Sequence, residues 1–394
     1  MSTSDKKPKR LRLVSPFVAE DPSRPATPKP DVHLQPHSAE LLQGLYTEGG
    51  QRRYCTYPFR LFGLASDILK PCTWLRQVDH VSVIPIESGA RQSLEDVWHS
   101  ETFNNVRRSV VEGEHLFCDL GNCPEYMGEQ KYFLTMSEIE KEFPAIARYI
   151  DSDRTEYEEG PRVVNVAYDT GCNLTCHSCN RLELPKLDRE TVEQFGEALA
   201  QLGRDIRYIY FVGMGDPFGT PHYLKWLQTV DITRFEKLEC IILNTNAIGW
   251  TDQNWLSIPA GTRRLIRTAV ISIDGATTES FEANRYPAKF ATMLERLEYV
   301  SAIRRRGELS CLRAYFVYQV NNFRELPRMV EIARHFGFDE LFFARIRNWR
   351  GWSDEYLASL DVNRPSHPDH AEFAEIAAKI RTLTDDKLSI TVMR

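Results

Sequence analysis

Three closely spaced cysteines are the strongest chemical signal in this 394-residue chain. They lie in the run Cys172-Asn-Leu-Thr-Cys176-His-Ser-Cys179. Three thiolates can ligate three irons of a 4Fe–4S cube and leave the fourth iron without a protein ligand, much as a catalytic zinc site keeps one position open. The alternative is a zinc ion that takes a fourth ligand from His177 or from a distant cysteine. The spacing predicts a metal centre with these three cysteines as ligands.

Four further cysteines form a second group in the first third of the chain. Gaps of 16, 45 and 4 residues separate Cys55, Cys72, Cys118 and Cys123. These gaps are too irregular for paired zinc knuckles, so an iron–sulfur cluster is the favoured interpretation and a four-cysteine zinc site the alternative. Four ligands would saturate such a cluster, which would then carry electrons and would not bind a substrate directly.

Composition limits the class of protein. The chain contains nine cysteines, an odd number grouped in clusters, which is typical of metal binding in a reducing compartment. A formal net charge of −6 argues against a nucleic-acid partner. The longest apolar runs are far too short to cross a bilayer, and no signal-peptide pattern follows the first residues. We therefore expect a cytoplasmic protein without a membrane partner.

The elements that must position the cysteines follow a β/α rhythm. Strand-like runs alternate with helical stretches, among them 189–202, 289–304 and 324–336, which predicts parallel strands covered by helices. Six such units are too few for a closed eight-stranded barrel, so the predicted fold class is α/β, with a partial (β/α)6 TIM-like barrel. The Cys172 run directly follows the first strand, where barrels build active sites. The predicted strands are 163–168, 208–212, 240–244, 269–273, 312–317 and 341–344.

Three segments differ in character. Residues 1–37 are rich in proline and are predicted to be a disordered tail. Residues 38–160 hold the second cysteine group, a short β element at 81–84 and a helix that begins near Ser93. Residues 161–394 hold the predicted barrel and a C-terminal helical extension.

The motifs after successive strands resemble those of the radical S-adenosylmethionine (SAM) superfamily. In that family the open iron chelates SAM, and an electron breaks its sulfonium bond to give a 5′-deoxyadenosyl radical. Phe211-Val-Gly-Met-Gly-Asp-Pro217 is similar to the family's glycine-rich turn and Leu243-Asn-Thr-Asn246 to its third-strand ending, although Met214, Asp216, Ser178 and Ala247 depart from the usual residues. The resemblance implies SAM contacts from Gly213, Met214, Gly215, Asp216, Asn244, Asn246, Ser272, Asp274 and Arg285, with Gln319 and Arg345 as further candidates on the same rim.

The segment that holds the second cysteine group resembles the auxiliary cluster domains of the SPASM and twitch type. Those domains usually follow the radical SAM core, whereas here the segment precedes it. The resemblance implies a small N-terminal iron–sulfur domain and two 4Fe–4S clusters in all. It also implies a reductant of the flavodoxin or ferredoxin type.

The resemblance implies abstraction of a substrate hydrogen and leaves the substrate open. Trp349 and Trp352, which follow the sixth strand among arginines, suggest a sugar or a glycosylated natural product, with epimerisation as the first expectation. Cys240 and Cys311 are then candidates to return a hydrogen atom, although their places near strand starts favour buried packing. The alternatives are a maturase of a ribosomal peptide and a non-catalytic metal-binding scaffold.

Overall fold

The computed structural model describes residues 34, 36–66, 68–77, 79, 81, 83–85, 93–127, 131–152, 157–179, 186–211 and 214–393. Two units emerge from its contacts. The first runs to Val164 and also takes in Asp188–Ile206, and the second comprises Asn165–Leu187 and Arg207–Arg394. Of the predicted tail over 1–37, only Leu34, Pro36 and His37 lie among the described residues.

The first unit is built from short strands and helices. β2 pairs antiparallel with β3 and β3 with β4, while β1 pairs antiparallel with β5. Its strands are β1 (Arg53–Cys55), β2 (Leu61–Ala65), β3 (Ile68–Lys70), β4 (Ile84–Pro85) and β5 (Phe133–Thr135). Its helices are α1 (Ala39–Gln43), α2 (Leu94–Trp98), α3 (Glu101–Glu112), α4 (Pro124–Met127), α5 (Met136–Glu142), α6 (Pro144–Ile150) and α7 (Arg189–Gln201).

The helix predicted to begin near Ser93 is two helices. Ser93 caps α2 through a capping box in which the Asp96 N–H donates to its Oγ at 3.0 Å. A second cap at Ser100, whose Oγ accepts from Phe103 N, starts α3 and interrupts the single helix predicted from Ser93. The apolar side chains Val97 and Trp98 of α2 and Phe103 and Val106 of α3 are all buried.

The second unit contains a row of parallel strands. Neighbouring strands from β7 to β12 pair in parallel and in chain order, and β6 stands next to β7. The strands are β6 (Val163–Ala167, which the unit boundary divides), β7 (Tyr208–Phe211), β8 (Cys240–Thr245), β9 (Ile266–Ser272), β10 (Cys311–Tyr318), β11 (Glu340–Arg345) and β12 (Ser389–Val392). The helices are α8 (Pro221–Thr229), α9 (Asp252–Ser257), α10 (Ala260–Leu265), α11 (Thr278–Asn284), α12 (Phe290–Arg305), α13 (Leu326–His335), α14 (Asp354–Leu360) and α15 (His370–Arg381).

This arrangement is a mixed α/β fold with a mostly parallel sheet, as the β/α rhythm predicts. All six predicted strands are present, whereas β12 was not predicted; the closure of the sheet into a partial barrel stays a prediction. The ends of parallel strands meet at one edge of a sheet. We call the edge where β7–β11 end the carboxyl edge. None of the helices in the described part of the chain has the length and hydropathy that a bilayer crossing needs.

Candidate functional site

The first three cysteines lie on the loop that follows β6, here called the cysteine loop (residues 168–179). All three are half-buried. The loop is fastened to the segment after α11, because Thr175 N donates to Tyr286 O at 2.7 Å and His177 N to Asn284 O at 3.3 Å. The three thiols are therefore partly accessible on a loop with fixed backbone contacts.

A buried ion pair contacts the second of these thiols. Arg285 Nη2 lies 2.8 Å from Asp274 Oδ2, and Arg285 Nη1 donates to Cys176 Sγ at 3.6 Å. Burial alone would lower the pKa of Arg285, but the Asp274 carboxylate and the Cys176 thiol outweigh it and raise this pKa. The Arg285 Nε is buried without a hydrogen-bond partner among the described residues. One donor of this charged group is left for a ligand.

Asp274 itself is already occupied. Its Oδ1 accepts from Val317 N at 2.8 Å, and its backbone carbonyl accepts from Asn284 and Asn322. The carboxylate thus joins the ends of β9 and β10 and orients Arg285. The structure brings together the two predicted contacts Asp274 and Arg285, with Asp274 in the supporting position.

Amide side chains at the end of β8 reach the first thiol. Asn246 Nδ2 lies 3.6 Å from Cys172 Sγ and donates to Asn173 Oδ1 at 2.8 Å. Two residues earlier along β8, Asn244 Oδ1 accepts a hydrogen bond from Ser272 Oγ at 3.0 Å, which connects β9 to β8. Asn244, Asn246 and Ser272 therefore share the carboxyl edge with the cysteine loop.

The loop after β7 is interlocked with the cysteine loop, and we call its residues 214–220 the glycine turn. Gly215 has a φ of +67°, and a Cβ there would lie 2.2 Å from Asp169 O. Asp216 N donates to Gly171 O at 2.9 Å. Met214 is half-buried in this turn, and Gly213 lies outside the described residues. The turn places backbone where the cysteine loop begins.

The side chain of Asp216 holds the turn and does not point to a free position. Its Oδ2 accepts from Asn246 N at 2.7 Å and from Thr245 Oγ1 at 2.9 Å, while its Oδ1 accepts from Phe218 N at 2.9 Å. Burial raises the pKa of Asp216, and these hydrogen bonds only partly offset the effect. The geometry makes Asp216 a link between the ends of β7 and β8.

Gln319, at the end of β10, belongs to a buried network of amides. Its Nε2 donates to Asn284 Oδ1 at 2.8 Å, and Asn321 Nδ2 donates to the same oxygen at 2.9 Å. Gln319 is 3% exposed, and its Oε1 has no hydrogen-bond partner among the described residues. An unpaired buried acceptor favours a ligand that brings a hydroxyl or ammonium donor.

Arg345 reaches the carboxyl edge but is engaged with the protein. Its Nε donates to both oxygens of Asp361 at 3.0 and 2.9 Å, and Arg364 Nε lies 3.4 Å from the same carboxylate. Asp361 is only 2% exposed. The predicted SAM or substrate contact at Arg345 thus coincides with a structural ion pair.

Cys240 and Cys311 lie at the opposite edge of the sheet. Cys240 is the first residue of β8 and Cys311 the first residue of β10. Cys240 Sγ is 3.5 Å from Ile241 O, and Cys311 Sγ is 3.8 Å from Glu340 Oε1. The structure does not bring either thiol to the carboxyl edge, so the alternative role as a hydrogen donor has no geometric basis there.

A brace on the cysteine loop was missed from the sequence. The ring of His177 stacks on Trp352 at 5.1 Å between centroids, and its Nε2 lies 3.2 Å from Tyr356 OH. Arg350 Nη1 also donates to His177 O at 3.3 Å. The aromatic and cationic run after β11 was the available signal, although its indoles suggested a contact with substrate. Trp349, 49% exposed, is its more open indole.

The second cysteine group converges in the first unit. Cys55, Cys72, Cys118 and Cys123 are all buried. Burial, followed by the electrostatic influence of the three other thiols, raises the pKa of Cys55. Burial likewise raises the pKa of Cys72 to about 12, with Cys123 adding to the effect, and the pKa of Cys118, with Cys72 and Cys123 adding to it. Every pair among the four thiols is therefore within electrostatic range.

The donor sets can be matched to the groups that the motifs imply. Among the described residues, no three or more His, Cys, Asp or Glu side chains are preassembled into a site for a metal ion. The fit therefore rests on donor chemistry. The first group has three half-buried thiols and an unpaired donor on Arg285, whereas the second has four buried thiols that influence one another electrostatically. Thiolates are the ligands that iron–sulfur clusters take, so both sets fit.

Comparison with known proteins gives only distant structural similarity. No protein-family model and no curated protein matches the chain. Streptococcus suis SuiB bound to S-adenosylmethionine is 11% identical, with a TM-score of 0.45 over 65% of this chain and 55% of that one. A second structure, anSMEcpe with bound AdoMet and Cp18Cys peptide, is 17% identical, with a TM-score of 0.41 over 58% and 62%.

A third, TYW1 with a lysine-pyruvate adduct bound, is 12% identical, with a TM-score of 0.38 over 57% of this chain and 74% of that one. The match spans little more than half the length of the SuiB chain. Similarity at this level assigns no substrate, and the chemistry of the site depends on its own residues.

Proposed function

We propose that this chain is a radical SAM enzyme that cleaves S-adenosylmethionine reductively and abstracts a hydrogen atom from its substrate. The observation that carries the proposal is the meeting of the cysteine loop, the glycine turn, Asn246 and the Asp274–Arg285 pair at one edge of a parallel sheet. When bound, a 4Fe–4S cluster on Cys172, Cys176 and Cys179 supplies the electron and an open iron for SAM.

The chain's own residues prepare the place for SAM. Arg285 presents a buried guanidinium with an unused Nε, which suits a carboxylate ligand, and Asp274 fixes its orientation. The unpaired Oε1 of Gln319 suits a hydroxyl or ammonium donor. Asn246 holds Cys172 and Asn173 in place. Arg285 and Gln319 would therefore contact the ligand, while Asp274 and Asn246 hold the groups around it.

We assign a second 4Fe–4S cluster to Cys55, Cys72, Cys118 and Cys123. Four buried thiols saturate a cluster, which can then take up or deliver an electron without a substrate ligand. This favours oxidation of the substrate radical over its epimerisation. The epimerase expectation also loses its hydrogen donors, because Cys240 and Cys311 lie at the amino ends of their strands.

Two classes of substrate are proposed. A carbohydrate or glycosylated natural product rests on the indoles Trp349 and Trp352, of which Trp352 is occupied by His177. A ribosomal peptide rests on the resemblance to enzymes with auxiliary clusters. The two classes are distinguished by incubating the reduced enzyme with candidate sugars and peptides in deuterated buffer. The true substrate increases the formation of 5′-deoxyadenosine and is converted to a product of different mass.

The first test measures SAM cleavage without a substrate. The full chain is reconstituted anaerobically with iron and sulfide, reduced with dithionite and mixed with SAM. We expect 5′-deoxyadenosine and methionine in equal amounts by chromatography and mass spectrometry. The C172A/C176A/C179A variant should give none, because it removes every ligand of the first cluster.

The matched control removes thiols from the opposite edge of the sheet. The C240A/C311A variant should cleave SAM at the wild-type rate, since neither thiol is near the cysteine loop. Deoxyadenosine formation that is no greater in the wild type than in the triple variant would overturn the proposed function.

A further inference from the structure

The turn that leads into Cys118 holds a buried histidine that the proposed chemistry does not use. His115 is 0% exposed and has a φ of +48°. The left-handed region disfavours bulky residues, although histidine and asparagine enter it more often than most. Such a conformation persists only where the surroundings fix it.

The backbone around His115 is fixed by hydrogen bonds from several sides. Cys118 N donates to His115 O at 2.8 Å and closes the turn. The Nε2 of His37 lies 3.2 Å from His115 O and 2.9 Å from Cys118 O, so it bridges both ends of the turn. The turn is therefore held against relaxation from the left-handed conformation.

The ring of His115 points at the sulfur of a cluster ligand. Its Nδ1 lies 3.5 Å from Cys118 Sγ, and the ring stacks on Phe133 with centroids 6.1 Å apart. The other ring nitrogen, Nε2, is buried and has no hydrogen-bond partner among the described residues. Among the residues that the structure describes, the contact with sulfur is the only hydrogen bond of the imidazole.

The direction of that hydrogen bond follows from the chemistry of a ligated sulfur. A cysteine that binds iron has lost its proton, so its sulfur can only accept. With its hydrogen on Nε2, the imidazole would have a buried donor without an acceptor on that nitrogen and an acceptor on Nδ1 facing a sulfur that can only accept, so both ring nitrogens would be unsatisfied. The tautomer with its hydrogen on Nδ1 satisfies both conditions.

We propose that His115 donates an Nδ1–H hydrogen bond to the Cys118 sulfur of the second iron–sulfur cluster and raises the reduction potential of that cluster. The inference rests on the proposed function, because it requires a cluster on the second cysteine group. Hydrogen bonds to the sulfurs stabilise the more negative, reduced cluster and are one of the factors that set its potential.

The test isolates the second cluster in the full chain. In the C172A/C176A/C179A background, H115N keeps an N–H donor on the δ position and suits the left-handed backbone, whereas H115L has nearly the same shape and no donor. H115G also lacks the donor and removes any backbone strain. The fraction of reduced cluster is followed by electron paramagnetic resonance at a series of applied potentials.

We expect the ratio of reduced to oxidised cluster at a fixed potential to fall about tenfold in H115L and H115G, which is about 59 mV for one electron. The potential of H115N should stay near that of the histidine form. Equal potentials in the histidine form, H115N, H115L and H115G would overturn the role of His115 and leave the second cluster itself untouched. Absence of a four-iron cluster from the triple variant would overturn the second cluster, and the inference with it.

Discussion

Gly215 is the residue on which the interlocked loops depend most directly. A Cβ at this position would lie 2.2 Å from Asp169 O and 2.7 Å from Gly171 O, in addition to the strain of a φ of +67°. Gly307, at the end of α12, has a similar φ of +76°, but a Cβ there would have no atom within 4 Å. The two glycines separate backbone strain from a steric clash.

We therefore expect G215A to lower the free energy of unfolding by about 2–5 kcal/mol, the sum of left-handed strain and overpacking. G307A should cost about 1 kcal/mol, from strain alone. Urea unfolding followed by circular dichroism measures both. Equal losses in the two variants would contradict the close packing of the glycine turn against the cysteine loop.

The buried pair of Arg285 and Asp274 permits a second comparison. The R285Q variant leaves the Asp274 carboxylate, 3% exposed, without its guanidinium, and we expect a loss of about 3–5 kcal/mol in unfolding free energy. The control is R305Q, which breaks a pair with Glu298 in which both side chains are about 60% exposed. Its cost should remain below about 1 kcal/mol. A similar cost for both variants in urea titrations would speak against a buried charge at Asp274.

Individual residues also mark the limit of prediction from the sequence. The types and spacing of Cys172, Cys176 and Cys179 identify a metal site without any structure. The role of Asp216 could not be predicted in that way, because it depends on donors from Thr245 and Asn246 about thirty positions away in the chain. Arg345 was predicted as a ligand contact from its place after the sixth strand, and its partner Asp361 is recognisable only in three dimensions.

At the scale of elements, the stretch from the end of β11 into α14 supports the cysteine loop from one side. His177 is stacked on Trp352 and hydrogen-bonded to Tyr356, while its backbone carbonyl accepts a hydrogen bond from Arg350. The β/α rhythm predicted the six main strands, since their apolar runs are long enough to be distinctive. It could not predict this brace, which depends on how a loop returns over the edge of the sheet.

The brace predicts how firmly the first cluster is held. Y356F removes the hydroxyl that meets His177 Nε2, a loss of about 1 kcal/mol. We expect iron to leave the first site about fivefold faster in the presence of a chelator, because that energy corresponds to such a factor in an opening equilibrium. Absorbance of the cluster measures the rate.

The control for the brace is Y299F on α12. It removes a hydroxyl that donates to Asp252 Oδ1 on α9 at 3.0 Å. This variant should release iron at the wild-type rate. If both variants lose iron equally fast, a general effect on stability explains the result and the brace has no special role.

At the scale of the whole molecule, the two cysteine groups belong to different units. Cys172, Cys176 and Cys179 lie in the second unit, and Cys55, Cys72, Cys118 and Cys123 lie in the first. Each unit has its own buried core, and Cys72 is part of the core of the first. The onset of alternating strands and helices after about Pro161 pointed to a boundary, although the assignment of α7 to the first unit was not foreseen because it depends on contacts distant in the chain.

The division predicts that the two metal sites load independently. The reconstituted wild type should contain about eight irons, the C172A/C176A/C179A variant about four, C118A/C123A about four, and the combined variant none. Iron is counted against protein concentration after desalting. Complete loss of iron from the triple variant would contradict both independent loading and the second cluster, and zinc in its place would identify the second group as a zinc site.

The interlocking of the cysteine loop with the glycine turn also limits how sequences of this kind can change in length. The Asp169 and Gly171 carbonyls face Gly215 at distances that leave no room for a Cβ, so one inserted residue between Asp169 and Cys172 would displace both loops together. Insertions are more readily accepted after Cys179, beyond the last of these contacts. In a set of diverging relatives, the spacing from Asp169 to Cys179 should stay constant while the stretch from Cys179 to α7 varies in length.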